Sequence, residues 1–191
     1  MTIESKHNEH FFVITGGPGA GKTTLLNEFK NMNYRVVPEI ARELIIEQQE
    51  LGGEALPWRN KNLYLNTMFH RSIESYEQVE RYPTDNTPIF FDRGFLDSIC
   101  YGVMIQSMID ENMNDYADKW RYNKKVFMLP PWHQIYTTDS ERKQSWKEAL
   151  LTYDKMIETY QKYGYETIEV PRLNVNERAH FVLDEINRST K

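Results

Sequence analysis

The sequence predicts an α/β fold in which a mainly parallel sheet of five strands is covered by helices on both faces, in three layers. Short apolar runs alternate along the chain with longer stretches whose apolar residues recur every three or four positions. The connections between these runs are long enough to hold a helix, as parallel neighbouring strands require. The predicted strands are Phe11–Thr15, Arg35–Pro38, Pro88–Asp92, Lys125–Leu129 and Thr167–Val170.

Helices are predicted between and after these strands from the spacing of their apolar residues. They cover residues 22–32, a stretch from 40 onward, 58–81, 145–163 and a stretch from 174 onward. Gly164 is placed to end the fourth helix. The last helix begins at Asn174, and Glu177 three positions later completes a capping-box pattern.

Length and composition predict a single globular unit. The chain has 191 residues, of which 40% are hydrophobic and 27% charged, and these fractions exclude disordered and fibrous proteins. We expect one domain over residues 11–191, preceded by a polar N-terminal tail over residues 1–10. We expect this domain to be a monomer or a small homo-oligomer.

Charge and cysteine content exclude several functional classes. The formal net charge of −5 provides no overall positive field for a nucleic-acid backbone, so no nucleic-acid partner is expected. Cys100 is the single cysteine, which is typical of a reducing cytoplasm. The N-terminus lacks the apolar core of a signal peptide, and no apolar stretch approaches the ~20 residues of a membrane-spanning helix. We therefore expect a cytoplasmic protein without membrane insertion.

A glycine-rich segment joins the first predicted strand to the first predicted helix, and it matches every fixed position of the P-loop pattern. The segment consists of Gly16, Gly17, Pro18, Gly19, Ala20, Gly21, Lys22, Thr23 and Thr24. Glycines let the backbone turn its N–H groups toward phosphate, and the helix adds its positive N-terminal end. We expect the loop to bind ATP, with Lys22 on the β- and γ-phosphates and Thr23 on Mg²⁺.

Two carboxylates follow predicted strands, at the edge of the sheet where ligands bind. Asp92 ends an apolar strand in the form of a Walker B segment, and it can hold Mg²⁺ together with Thr23. Glu39 follows the second strand and can take a proton from an acceptor hydroxyl group. The reverse assignment, with Asp92 as the base, remains open because geometry decides it.

Two arginines complete the predicted catalytic set of Lys22, Glu39, Asp92, Arg93 and Arg142. Arg93 stands where hydrolytic ATPases usually carry a water-activating glutamate, so transfer to another acceptor is favoured over hydrolysis. We expect Arg93 near the transferred phosphoryl group, with Asp97 one helical turn later as its partner. Arg142, with Lys143 as second choice, lies where kinases of this fold carry a mobile lid that neutralises the leaving phosphates.

The combination of these motifs resembles one family. The motifs are Gly16–Thr24, Val36–Glu39 with Arg42 and Glu43, Phe91–Gly94, Phe127–Pro131, Asp139–Trp146 and Glu169–Arg172. Over nearly its whole length the chain is similar to small single-domain P-loop proteins that carry a generic AAA-ATPase label. Relatives of that family include the ribosylnicotinamide kinase domain of the bifunctional NAD-biosynthesis regulator. The resemblance implies a P-loop NTPase fold of the kinase type, ATP and Mg²⁺.

A more distant resemblance is to deoxynucleoside kinases. In that family a glutamate after strand two and an acid–arginine pair after strand three serve the acceptor. The matching positions here are Glu39 and the pair Asp92-Arg93, but Gly94 follows the pair in place of a serine.

The leading hypothesis is an ATP- and Mg²⁺-dependent kinase that phosphorylates a small hydroxyl-bearing metabolite of nucleoside or riboside type. ATP and this unidentified acceptor are the expected partners. The alternative is an NTPase switch, or a regulatory nucleotide-binding module without a small-molecule acceptor. Asn60–Leu63 and Asn123–Val126 both lack the aspartate of a guanine-reading motif, which disfavours a conventional GTPase. Loop packing explains Trp132 and His133 more simply than contact with a base does.

Overall fold

The five predicted strands form one parallel sheet. The computed structural model describes residues 3–17, 19–82, 85–135 and 145–188. The strands are β1 (Lys6–His7), β2 (Phe11–Gly16), β3 (Arg35–Val37), β4 (Ile89–Asp92), β5 (Trp120–Arg121), β6 (Lys125–Leu129) and β7 (Glu166–Glu169). The helices are α1 (Lys22–Asn31), α2 (Ile40–Glu50), α3 (Lys61–Glu80), α4 (Phe95–Met104), α5 (Glu111–Lys119), α6 (Trp146–Lys162) and α7 (Val175–Asn187). Within the described ranges, no helix is long and apolar enough to cross a membrane.

The central strand of this sheet is β2. The strands lie in the order β3-β4-β2-β6-β7, and each neighbouring pair is parallel. Phe11 lies opposite Ile89 of β4, and Val13 lies opposite Val126 of β6. Every residue of β2 is buried, because helices cover both faces of the sheet. The loops after β2, β3 and β4 leave the sheet at the same carboxyl edge.

Alternate residues of the strands face opposite sides and build two apolar cores. On one face Phe11, Val13 and Phe91 pack against side chains of α3, α4 and α6. On the other face Phe12 and Ile14 pack against α1 and α7. Each fully buried side chain of this size contributes about 1.5–3 kcal/mol. The predicted three-layer arrangement is confirmed.

Capping residues determine where several helices begin. α3 begins at Lys61, three residues later than predicted, because the Asn60 side chain accepts a hydrogen bond from the N–H of Leu63 at 3.0 Å. The capping box at Asn174 and Glu177 is present, as the spacing predicts.

The residues before β2 are packed onto the domain, although the sequence predicts a polar tail there. β1 pairs in parallel with β5, with Lys6 opposite Trp120. The indole Nε1 of Trp120 donates to the Glu4 carbonyl oxygen at 3.0 Å, and Lys6 Nζ lies 2.7 Å from Glu80 Oε2. Ile3 packs against the first core. Residues 3–7 therefore contact α3, β5 and the first core.

Candidate active site

The P-loop connects the central strand to α1. Its described residues Gly16, Gly17, Gly19, Ala20, Gly21, Lys22, Thr23 and Thr24 lie in the β2–α1 connection and the first turn of α1, whereas Pro18 lies outside the described residues. A Cβ atom at Gly16 would lie 2.5 Å from the Leu129 carbonyl oxygen, so the loop can pass β6 only with glycine there. Gly21 caps α1 in the left-handed conformation without a side-chain hydrogen bond. The first N–H groups of α1 therefore point into the loop, as an anion site requires.

Lys22 extends from this loop to the carboxyl end of β4. Its side chain is 8% exposed. The ammonium donates a hydrogen bond to Asp92, and its Nζ lies 3.8 Å from Glu39 Oε2. Burial raises the pKa of Asp92 in spite of the nearby ammonium. Three of the predicted site residues are therefore close together.

Arg93 connects Glu39 to Asp97. Its Nε donates to Glu39 Oε1 at 2.6 Å, and its Nη1 donates to Asp97 Oδ1 at 3.0 Å. The backbone of Arg93 is left-handed, with a φ of 71°, and its N–H donates to the Ile14 carbonyl oxygen at 3.1 Å. Such a conformation costs about 1–3 kcal/mol for a residue other than glycine, and it turns the chain sharply after β4. The two charge-assisted hydrogen bonds offset this cost.

The charges in this cluster stabilise one another. Burial would raise the pKa of Glu39, but Arg93 and Lys22 together hold that pKa below its usual value. Burial likewise opposes the charge of Arg93, but Glu39 and Asp97 raise its pKa. Glu39 and Arg93 therefore form an ion pair at neutral pH.

The buried carboxylate of Asp97 holds Arg93 in place through hydrogen bonds. The residue is buried, and its carboxylate accepts four hydrogen bonds. Oδ1 accepts from Thr15 Oγ1 at 2.5 Å as well as from Arg93, and Oδ2 accepts from the Tyr160 hydroxyl at 2.6 Å and the Gly94 N–H at 3.0 Å. Burial raises the pKa of Tyr160, so its hydroxyl group stays protonated and donates. The sequence did not indicate Thr15 or Tyr160, because they lie 82 and 63 positions from Asp97.

A small cavity lies beside the cluster. Its volume is about 20 Å³, enough for one water molecule. Glu39, Asp92 and Arg93 line one side, and Ser72 and Ser75 of α3 line the other. The cavity shares Ser75 and the end of β3 with a wider groove of about 540 Å³, so the two spaces are neighbours.

The remaining predicted residues lie at the edge of this cluster or outside the described ranges. Arg42 and Glu43 are exposed on α2, where the charge of Arg42 helps to lower the pKa of Glu39 and Glu43 lines the wider groove. The predicted lid, with Arg142 and Lys143, falls within residues 136–144, which lie outside the described residues.

A family model described as "AAA domain" matches residues 11–178. The match covers most of the chain, including the P-loop, Glu39 and the segment from Asp92 to Asp97. The chain belongs to this AAA-domain family. No curated protein matches the sequence.

Solved structures similar to this AAA-domain chain include NadR and two kinases. The NadR protein in complex with NR has a TM-score of 0.68 at 14% identity, over 96% of this chain and 51% of NadR. The chain thus spans about half the length of NadR. Deoxyadenosine kinase from M. mycoides, with the products dCMP and a flexible dCDP bound, has a TM-score of 0.58 at 17% identity, over 93% and 99% of the two chains. Shikimate kinase from Aquifex aeolicus has a TM-score of 0.53 at 13% identity, over 94% and 98%. At these identities the likeness shows the fold, and it confirms the predicted P-loop kinase-type sheet.

Proposed function

We propose that this protein is an ATP-dependent kinase that transfers the γ-phosphoryl group to a hydroxyl group of a small metabolite of nucleoside or riboside type. The position of Glu39 is the observation that carries the proposal. Its carboxylate lies 3.8 Å from Lys22 Nζ and borders the small cavity at the carboxyl ends of β3 and β4. Because the P-loop lysine contacts the β- and γ-phosphates, an acceptor whose hydroxyl group reaches Glu39 meets the transferred group there.

The low pKa of Glu39 defines its role in the reaction. Transfer forms a bond from the acceptor oxygen to the γ-phosphorus, breaks the bond to the β,γ-bridging oxygen so that ADP leaves, and passes the hydroxyl proton to the Glu39 carboxylate. An ionised carboxylate accepts a hydrogen bond from that hydroxyl group and orients its oxygen toward phosphorus. Positioning of this kind is most of what a protein contributes to phosphoryl transfer.

Arg93 acts as a positioning residue for Glu39. Its guanidinium already contacts Glu39 on one side and Asp97 on the other, so it fixes the direction of the Glu39 carboxylate. Arg93 also occupies the position of the usual water-activating glutamate. A site that holds no attacking water hydrolyses ATP slowly.

The donor set fits Mg²⁺. The Thr23 hydroxyl group and the Asp92 carboxylate are hard oxygen ligands, and Mg²⁺ is usually bound by one or two carboxylates together with substrate phosphates. When bound, the ion would neutralise charge on the phosphates. Asp92 contacts Lys22 in this structure, so a triphosphate that attracts Lys22 would leave the carboxylate free for the metal.

Similarity of fold supports the proposed acceptor class. Two similar structures, NadR and deoxyadenosine kinase, hold NR and dCMP as bound molecules. Glu39 and Asp92-Arg93 match the positions that serve the acceptor in the resembled deoxynucleoside kinases.

Release of ADP tests the proposal. Purified protein is assayed with ATP and Mg²⁺ alone, and then with pools of nucleosides, ribosides and sugars. We expect slow ADP release alone and faster release with the right pool, together with a phosphorylated product in mass spectrometry.

Glu39→Gln should lower the acceptor-dependent rate by about 10²-fold, because orientation of the hydroxyl group matters most in the transition state. Glu50→Gln, at an exposed position near the end of the same helix, is the matched control and should keep the wild-type rate. Rapid ADP release without any acceptor, unaffected by Glu39→Gln, would contradict the proposal and support an NTPase switch.

A further inference from the structure

Three buried polar side chains meet in the first core. Phe11, Val13 and Thr15 of β2 lie on the same side of the sheet, where the first two pack among apolar side chains. Thr15 is fully buried, and its hydroxyl group donates to Asp97 Oδ1 at 2.5 Å. Tyr160 is also fully buried, and its hydroxyl group donates to Asp97 Oδ2 at 2.6 Å. One carboxylate thus joins β2, α4 and α6.

The stability of the core alone does not account for this polar set. Moving a carboxylate out of water is costly unless the charge is paired and its oxygens accept hydrogen bonds. Replacing such a buried cluster by apolar side chains of similar shape is often neutral or stabilising. The cation that contacts Asp97 is Arg93, whose Nη1 donates at 3.0 Å. The reason for the polar set therefore involves Arg93.

The guanidinium group of Arg93 is held at two ends. The backbone of this residue is left-handed, with a φ of 71°, which is unfavourable for a residue other than glycine. Nε donates to Glu39 Oε1 at 2.6 Å, and Asp97 holds Nη1. Rotation of the Asp97 carboxylate would release Nη1 and leave the direction of the guanidinium group unfixed. Thr15 and Tyr160 donate to different oxygens of Asp97, so together they oppose this rotation.

Thr15 also connects this network to the phosphate-binding loop. It directly precedes Gly16, the first residue of the P-loop. At the other end of the loop, Lys22 Nζ lies 3.8 Å from Glu39 Oε2. Glu39 is therefore held relative to the loop from two sides, by Lys22 and by the series of hydrogen bonds that starts at Thr15.

We propose that Thr15 and Tyr160 are positioning residues for the phosphoryl transfer. They fix Asp97, which fixes Arg93, and Arg93 directs the Glu39 carboxylate toward the acceptor hydroxyl group. A displacement of about 1 Å in a reacting site can lower the rate by ~10²-fold, so hydrogen bonds away from the reacting atoms affect the rate. The effect on rate rests on the proposed function, whereas the coupling to Glu39 exists without any substrate.

Steady-state kinetics tests the effect on rate, with ATP and the single nucleoside or riboside that gives the fastest ADP release. Thr15→Val and Tyr160→Phe each remove one hydroxyl group and nearly keep the shape of the side chain. Each should lower kcat by about tenfold and change the KM of the acceptor by less than about twofold, because positioning matters most in the transition state. Thr15→Ser keeps a hydroxyl donor and should recover most of the wild-type kcat.

Tyr163→Phe is the matched control for Tyr160→Phe. Tyr163 follows the end of α6, is also buried, and donates its hydroxyl hydrogen bond to Asn114 Oδ1 at 2.6 Å. This variant loses a hydrogen bond of the same length outside the network, and it should keep the wild-type kcat.

A double-mutant cycle of thermal unfolding tests the coupling without a substrate. Tyr160 contacts Asp97 and Glu39 contacts Arg93, so the two outer residues interact through the inner pair. The fall in midpoint of the double variant Tyr160→Phe/Glu39→Gln should be smaller than the sum of the two single falls by about 2 °C or more. With Tyr163→Phe in place of Tyr160→Phe, the falls should add to within about 1 °C.

Several results would overturn the positioning role. They are additive falls for Tyr160→Phe and Glu39→Gln, a kcat within about twofold of the wild type in both Thr15→Val and Tyr160→Phe, an equal loss of kcat in Tyr163→Phe, and a Thr15→Ser variant as slow as Thr15→Val. If no nucleoside or riboside is phosphorylated, the proposed kinase is contradicted, and the cycle still decides whether the hydroxyl groups hold Glu39.

Discussion

Asp97→Asn tests whether the buried carboxylate holds the site together. Each oxygen of Asp97 accepts two hydrogen bonds, Oδ1 from Thr15 and Arg93, and Oδ2 from Tyr160 and the Gly94 N–H. An asparagine of the same shape replaces one oxygen by an NH₂ group. Whichever way the amide turns, two donors then face another donor.

The expected loss of stability follows from this count. A buried donor left without an acceptor costs about 1–3 kcal/mol, and the hydroxyl groups can rotate to recover part of the loss. We therefore expect Asp97→Asn to lower the free energy of unfolding by about 2–4 kcal/mol. For a domain of this size each kcal/mol shifts the midpoint by about 2–4 °C, so the midpoint should fall by about 4–16 °C. Tyr160→Phe removes one donor and leaves the carboxylate intact, so it should cost only about 0.5–1.5 kcal/mol.

Thermal unfolding followed by circular dichroism measures these differences. Asp154→Asn, at an exposed position on α6, is the control and should match the wild type. A midpoint for Asp97→Asn within about 1 °C of the wild type would refute the role assigned to the four hydrogen bonds, and so would a larger effect of Tyr160→Phe.

Two further predictions concern charged groups of the site. Lys22→Met should weaken Mg²⁺–ATP binding by about tenfold or more in calorimetry, because the loop loses its phosphate-binding ammonium. Lys30→Met, at an exposed position of α1, is the control and should keep the wild-type affinity. An ATP affinity of Lys22→Met equal to that of the wild type would remove Lys22 from the site. Because the pKa of Glu39 is held below about 4.5, its contribution to stability is complete above that pH and is lost as the pH falls through the lowered value. The difference in unfolding midpoint between wild type and Glu39→Gln should therefore shrink as the pH is lowered from 6 to 3, roughly the range of carboxylate titration. A difference that is constant or grows would contradict the lowered pKa of Glu39.

The sequence predicted the sheet well because its three central strands, β2, β4 and β6, are short apolar runs. Lys125–Leu129 has the predicted bounds, and the other four strands differ by a residue or so at their ends. The order of the strands had no local signal, since it depends on pairing between segments far apart in the chain. The same holds for β1 and β5, which are two residues long and carry polar residues that no alternation marks.

The candidate site divides in the same way. The P-loop is a contiguous pattern. The Arg93–Asp97 pair was expected from a spacing of four residues, but Arg93 precedes α4 and reaches Asp97 from the left-handed turn after β4. Thr15 and Tyr160 contact Asp97 only because β2 and α6 are adjacent in space.

The central position of the P-loop strand determines when its neighbours become available during synthesis. β2 is made before its partners β4 and β6, and Val13 can pair with Val126 only after on the order of a hundred further residues have been made. Pairing over such a separation has a high contact order and slows folding. A ribosome-bound chain that has not yet exposed β6 has the complete glycine loop, but it lacks the strand against which Gly16 passes. We therefore expect the P-loop to bind nucleotide only after β6 has been made, on the order of a hundred residues after the loop itself.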